Sequence, residues 1–420
     1  MKNIRKNLFR AIVAMMLVLF SLTSMTSCLI FDFSYFFEDY LDDFENNLPD
    51  DDDGTNPGPS TPDDDDTEDD ANDELTFIPS DGSDPNNATP LNRTLLSTVI
   101  VESKFTSAAY GSGVFYELDA ENGDAYIITN YHVVFDAKEG ICKNVNVYLY
   151  GMELRKYAIP ATVLGGSVTF DIAVLKIENS EVLKNSVATA ASLANSDDIQ
   201  VFDTVYAVGN PEANGISGTK GVINVVSEYI DLTGADDSAI ELRVIRTDAA
   251  INSGNSGGGL YNENGELIGI VSAKIMGSNI DNMGYAIPSN LVKNLVGNII
   301  DNCNGADSTS VKRALLGIQI TAYTTGVSVD EESGQIKRVS VVEISSVFET
   351  SVFYGQLMKG DVITSLTVNG VTITPSQIYH VTDHMLTARV GHTVEMTVTR
   401  GTEALTVSYN ISEENISNSK

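Results

Sequence analysis

The sequence predicts a mainly β chain, and three observations carry that expectation. From residue 94 onward, short apolar or alternating runs recur at 95–101, 113–118, 125–129, 145–149, 172–177 and 205–208. Turn-forming clusters punctuate them, among them Glu121-Asn122-Gly123-Asp124 and Gly165-Gly166. No helical periodicity separates the runs, which argues for antiparallel barrels or a sandwich over βαβ units. A chain of 420 residues has room for two or three domains, each with its own core.

The N-terminus reads as an address. Lys2, Arg5, Lys6 and Arg10 precede an apolar run at 11–22. That run is shorter than the roughly 20 residues a spanning helix needs, so a secretory signal peptide over 1–27 is expected. Met25-Thr26-Ser27-Cys28 resembles the lipobox of bacterial lipoproteins. Cleavage before Cys28 and lipidation of its sulfur would then hold the chain on the extracytoplasmic face of a bacterial membrane.

Residues 28–93 read as a tether. The formal net charge of -33 is concentrated there: no Lys or Arg stands between Arg10 and Arg93, while acidic runs at 50–53 and 63–66 flank Pro57, Pro59 and Pro62. Repulsion and proline together predict an extended, disordered linker. It lacks the alternating ligands and central glycine of a calcium loop, so no metal is expected. So acidic a chain is a poor partner for nucleic acid. Cys142 and Cys303 can pair in a secreted protein or remain two thiols.

Chemistry concentrates around Ile251-Asn252-Ser253-Gly254-Asn255-Ser256-Gly257-Gly258-Gly259. Ser256 among glycines suits an exposed hydroxyl with backbone amides at close range, the setting a nucleophile needs for acyl transfer. His132 closes the run before Val133 and is the one histidine before His380. Imidazole is the side-chain type suited to act as base near neutral pH, and this is the one the domain offers. Asp171 opens Asp171-Ile172-Ala173-Val174-Leu175, where a carboxylate can be held rigid and half-desolvated to orient an imidazole. Asp136 is a rival, but it follows His132 too closely for easy geometry. The order His132, Asp171, Ser256 is that of the chymotrypsin-type double β-barrel, with the halves dividing near 192–199.

Thr129-Asn130-Tyr131-His132-Val133-Val134, Asp171-Ile172-Ala173-Val174-Leu175, Ala207-Val208-Gly209-Asn210-Pro211 and Gly284-Tyr285-Ala286-Ile287-Pro288 resemble the HtrA/Deg family of envelope serine proteases. The resemblance implies a trypsin-like protease domain over 94–304. It implies an oxyanion hole at Gly254, Asn255 and Ser256, formed above all by the amides of Gly254 and Ser256. It also implies an apolar specificity pocket from Ile251, Tyr285, Ile287 and the loop 282–287, with Ser272 near Asp171. Gly259 stands where many relatives carry Pro or Ala.

Leu291, Val292, Leu295, Val296, Ile299 and Ile300 repeat at helical spacing behind Ser289, which can N-cap a helix reaching about Asn302. Leu315-Leu316-Gly317-Ile318-Gln319-Ile320 and Leu357-Met358-Lys359-Gly360-Asp361-Val362-Ile363 resemble a PDZ domain, expected over 311–413 with a groove helix at 375–386. The resemblance implies that the amides of Leu316, Gly317 and Ile318 hold the terminal carboxylate of a bound peptide. His380, His384 and His392 lack metal spacing and read as surface or groove residues.

These readings together predict an ATP-independent serine endopeptidase that needs no cofactor. Its substrates would be unfolded or mislocalised envelope proteins, and the family resemblance implies a homotrimer. A proteolytically silent peptide-binding chaperone or stress sensor is the alternative.

Overall fold

A short helix is the first element of the described chain. The computed structural model describes residues 84, 87–152, 157–273, 283–302, 311–331, 334 and 336–419. The signal peptide, Cys28, the acidic runs of the linker and Cys303 lie outside the described residues. Helix α1 (Pro90–Ser97) starts with Pro in its first turn, and Thr89 Oγ1 accepts from the Asn92 N–H at 3.3 Å. The run predicted as strand from residue 95 therefore divides. Its first residues finish the helix, and the β-branched stretch Thr98-Val99-Ile100-Val101 begins β1 (Thr98–Lys104).

Next come β2 (Ala108–Asp119) and β3 (Asp124–Thr129), then a small ribbon of β4 (Phe135–Asp136) and β5 (Gly140–Ile141). β6 (Val145–Leu149), β7 (Ile159–Ser167) and β8 (Ile172–Ile177) complete the first half. Six of these strands close a barrel in the order β1-β2-β3-β8-β7-β6. Val99, Val101, Phe115, Ile127, Val147 and Leu175 share its core. After the single turn α2 (Glu181–Lys184), a second barrel forms from β9 (Thr204–Gly209), β10 (Ser217–Thr233), β11 (Ala239–Thr247), β12 (Gly259–Tyr261), β13 (Leu267–Val271) and β14 (Gly284–Pro288). Its order is β10-β11-β14-β13-β12-β9, and closure leaves neither barrel an open sheet edge.

Helix α3 (Ser289–Asn302) matches its predicted span, and Leu291, Val292, Leu295, Val296 and Ile299 are buried in the core cluster it shares with both barrels. Its start differs from expectation. Ser289 Oγ donates to Ala194 O at 2.8 Å, and Ser196 Oγ from the inter-barrel connection accepts the Asn290 N–H at 3.1 Å instead.

The C-terminal unit contains β15 (Val311–Ala314), β16 (Ile318–Val329), β17 (Ile336–Val347), β18 (Val362–Val368) and β19 (Val371–Ile373). Helix α4 (Ile378–Met385) follows, then β20 (Thr393–Arg400), β21 (Glu403–Asn410) and β22 (Ile416–Ser419). The main sheet runs β16-β17-β18-β20-β21 with β19 on β18. β22 pairs with β15 and carries the unit past residue 413. α4 begins later than predicted because Gln377 is extended.

The back of α4 rests on the barrels. Arg243 of β11 pairs with Asp383 and lies 4.1 Å from the centre of the Tyr379 ring, while Asn294 Nδ2 donates to Asp383 O at 2.9 Å. His384 is buried with Nε2 3.0 Å from Val371 O, and His380 faces Asp197 at 3.7 Å. The expectation that both would be surface or groove residues is thus corrected: the helix turns them toward its packed side.

One prediction arises in this unit. Asp361 is fully buried, and Arg400 donates to it from Nε at 2.7 Å and Nη2 at 2.8 Å. Those bonds outweigh the effect of burial and hold its carboxyl below the usual carboxylate range. A carboxyl depressed in the folded state adds stability above its unfolded pKa, which is lost as pH falls through the folded value. Asp361→Asn is expected to cost about 2 kcal/mol at pH 7. The gap to wild type should narrow as pH drops below about 3.9, which melts at pH 7 and pH 3 would read.

Candidate active site

The two barrels meet at three residues far apart in sequence. β3 ends at Thr129, and the next turn, Tyr131–Val133, presents His132. Asp171 stands one residue before β8 with φ +50, a left-handed conformation unusual outside glycine. Asn130 Nδ2 secures it by donating to Asp171 O at 2.9 Å. His132 Nδ1 lies 2.9 Å from both carboxylate oxygens, and the His132 N–H donates to Oδ1 at 3.1 Å. The acid side chain is only 5% exposed and the imidazole 18%. A carboxylate facing Nδ1 keeps the neutral ring's proton there and leaves the Nε2 lone pair free to accept one.

Ser256 lies between β11 and β12 of the second barrel. Its Oγ accepts the Ala273 N–H at 3.1 Å, and no Ser256–His132 hydrogen bond occurs among the described residues. The preceding residue, Ser272, donates its Oγ to Asp171 Oδ2 at 3.1 Å. Adjacent residues just past β13 therefore hold the acid and the alcohol, with Cα atoms about 3.8 Å apart. One short segment thus contacts both the acid that anchors the imidazole and the alcohol, and catalytic hydrogen bonds of this type tighten in the substrate complex.

The backbone before Ser256 is shaped by contacts that the sequence did not reveal. Ser112 on β2 donates its Oγ to Gly254 O at 2.7 Å and accepts the Asn210 N–H at 2.8 Å, while its own N–H donates to Ser256 O at 2.7 Å. The signal available was Gly111-Ser112-Gly113, small residues where two backbones must approach. The Glu212 N–H takes Ser253 O at 2.7 Å. Asn255 N–H donates to Asn252 O at 3.0 Å, so of the three amides named from sequence it is already engaged. Gly254 and Ser256 have no acceptor for their N–H groups among the described residues.

Two glycines are fixed by this arrangement. Gly254 has φ +93, and a Cβ there would sit 2.2 Å from Asn210 O. Gly257 has φ +85, and its Cβ would fall 2.1 Å from Ser112 O. Gly257→Ala combines left-handed strain with a backbone clash and is expected to cost about 3 kcal/mol, measurable as a lower denaturant midpoint.

The pocket residues named from sequence separate. Ile251 is buried against Gly284, whose added Cβ would meet Ile251 Cδ1 at 2.5 Å. Tyr285 and Ile287 turn into a different core cluster, because strand side chains alternate faces and Gly284 and Ala286 take the side toward Ile251. They are thus core residues in β14, apart from Ile251. Residues 274–282, including Asn282, lie outside the described residues. In the C-terminal unit, Leu316, Gly317, Ile318, Ile320, Val381 and Met385 line a groove of about 580 Å³ between β16 and α4. Ser351 Oγ donates to Leu316 O at 2.7 Å and the Phe348 N–H to Gly317 O at 3.0 Å, which turns those carbonyls inward.

Residues 111–270 match the family model of the trypsin-like peptidase domain. The fold and site therefore define a class, a mainly β, trypsin-like serine endopeptidase domain. Its relatives include proteases of the HtrA/Deg kind. The chain is 38% identical over 211 residues to the serine protease Do-like HtrB of Bacillus subtilis (strain 168), covering 50% of this chain and 41% of that protein. It is 36% identical over 311 residues to the periplasmic serine endoprotease DegP of Salmonella typhimurium, covering 73% of this chain and 57% of the relative. A solved HtrA-type protease, AlgW with a tripeptide, superposes with a TM-score of 0.50 at 26% identity, covering 77% of this chain and 95% of that one. The chain spans 39% to 61% of the lengths of curated relatives of this kind.

Proposed function

We propose that this chain is an ATP-independent serine endopeptidase of the cell envelope that degrades unfolded or mislocalised proteins. The observation that carries the reading is the pairing of His132 with a buried Asp171 whose Ser272 contact adjoins the anchor of Ser256. Ser256 Oγ attacks the peptide carbonyl carbon as His132 Nε2 takes its proton. The oxyanion forms within reach of the Gly254 and Ser256 amides. His132 returns the proton to the leaving amine, and the acyl-enzyme remains. Water then repeats the cycle, its proton passing to His132, and releases the acid and free Ser256. Asp171 holds the tautomer throughout.

The remaining parts of the proposal rest on resemblance. The groove between β16 and α4 acts as a PDZ site for peptide C-termini, with the Leu316, Gly317 and Ile318 amides on the carboxylate. Cys28 carries the lipid anchor behind the signal peptide, the linker spaces the enzyme from the membrane, and three chains assemble. DegP relatives named as periplasmic support an extracytoplasmic location. The alternative, a silent peptide binder, draws on Ser256 Oγ being bonded to the Ala273 N–H.

A fluorophosphonate probe separates the two. It should label wild type and leave Ser256→Ala unlabelled, with or without C-terminal peptides present. Absence of labelling from wild type under every peptide tried favours the silent binder.

A further inference from the structure

A cleft of about 800 Å³ opens between the first barrel and the loop after β9, lined among others by Ile100, Glu102, Tyr110, Tyr148, Asn210 and Ile216. Glu102 is 5% exposed, and it sits in register between Tyr110 on β2 and Asn146 on β6. Its two oxygens are treated unequally. Oε2 takes Tyr148 OH at 2.8 Å, Asn146 Nδ2 at 3.0 Å and Lys104 Nζ at 3.5 Å, whereas among the described residues Oε1 takes Tyr110 OH alone, at 3.2 Å. Burial pushes the carboxyl up, but the Asn146 and Tyr148 bonds, Lys104 and Tyr110 outweigh it and keep it below the usual range, hence ionised. Lys104 is 50% exposed at its side chain, and an ion pair so open to water is a weak neutraliser.

Position gives this carboxylate a use. Ser112, whose N–H meets Ser256 O, is two residues from Tyr110 on β2, or about 7 Å along a strand. The other wall begins at Asn210, whose N–H bonds Ser112 Oγ. Ile251 and Gly284 belong to the second barrel, whereas Tyr110 and Ser112 stand on β2 of the first. A chain whose acyl half rests on the second barrel by Ile251 and whose leaving half crosses to the first runs along β2 toward Glu102.

Building on the peptidase reading, we propose that this cleft is a leaving-side subsite taking a Lys or Arg side chain from the second residue after the cleaved bond. The cationic head approaches Glu102 Oε1, and the aliphatic stem lies along Tyr110, Tyr148 and Ile216. Aromatic faces favour such a cation, and a long basic stem covers apolar surface while its head stays polar. Lys104 is the internal competitor for the same carboxylate.

The test uses two peptides that differ only as Lys or Gln at that position. Wild type should favour Lys in kcat/KM by about tenfold, which corresponds to about 1.4 kcal/mol. Glu102→Gln should bring the ratio near one. Lys104→Ala, at an exposed side chain that folding does not need, should raise it. Binding of both peptides to full-length Ser256→Ala, by calorimetry, gives a readout that requires no turnover. Cleavage without Lys preference, or a preference that persists in Glu102→Gln, overturns the subsite alone. Lys-selective binding without wild-type cleavage sinks the peptidase reading and keeps the subsite. Neither cleavage nor selective binding overturns both.

Discussion

Ser256→Ala is expected to lower kcat toward an unfolded casein substrate by about a million-fold, to the level left by backbone amides and binding alone. In the proposed mechanism the alcohol oxygen is the atom that forms the acyl bond, and the two serine hydroxyls near it are engaged elsewhere. Ser272 is committed to Asp171 and Ser112 to Gly254. The substitution also removes the acceptor of the Ala273 N–H, a loss of about 1 kcal/mol. The variant should therefore fold and melt close to wild type while being inert. Progress curves on purified wild type and variant, with matched circular dichroism, measure both quantities. A fall of less than a hundredfold would mean that another group performs the attack.

Asp171→Asn should cost about 10⁴-fold in kcat with little change in structure, the scale at which an orienting carboxylate acts in this type of triad. Asp171 accepts from three donors, His132 Nδ1, the His132 N–H and Ser272 Oγ. An amide in its place offers one oxygen and one NH₂ to a site built for acceptors only. If the NH₂ faces Nδ1, the ring must carry its proton on Nε2, and the base no longer has a lone pair toward Ser256. Stopped-flow or steady-state kcat at pH 7 reads the effect. Near wild-type turnover would show that the imidazole is held by something other than this acid.

Much of this architecture was legible because local chemistry and global fold agree. The runs at 145–149 and 172–177 are β6 and β8 as drawn, since short, mostly buried apolar runs between turns, broken only by half-buried Asn146 and Lys176, read as strands. α3 was legible from its spaced leucines and valines. β10 was missed because its long, half-exposed course mixes polar and apolar residues without a clean period. The start of β1 was misread because Leu95 and Leu96 belong to a helix set by Pro90 and the Thr89 cap. Within the site, His132, Asp171 and Ser256 stood out by residue type. Ser112 did not, since a serine between glycines looks like any turn and its value comes from contacts with residues 142 and 144 positions on. Tyr285 and Ile287 entered the pocket through the family resemblance, which does not carry the two-residue alternation that turns them into the core here.

The grip of the Glu212 amide on the Ser253 carbonyl has a wider meaning. A freed carbonyl there could swing inward and occupy the space meant for a developing negative charge. With that oxygen tied to the loop after β9, the Gly254 and Ser256 amides proposed for the oxyanion stand ready before any guest arrives. Their alignment is settled as the polymer folds, and each round of turnover inherits it.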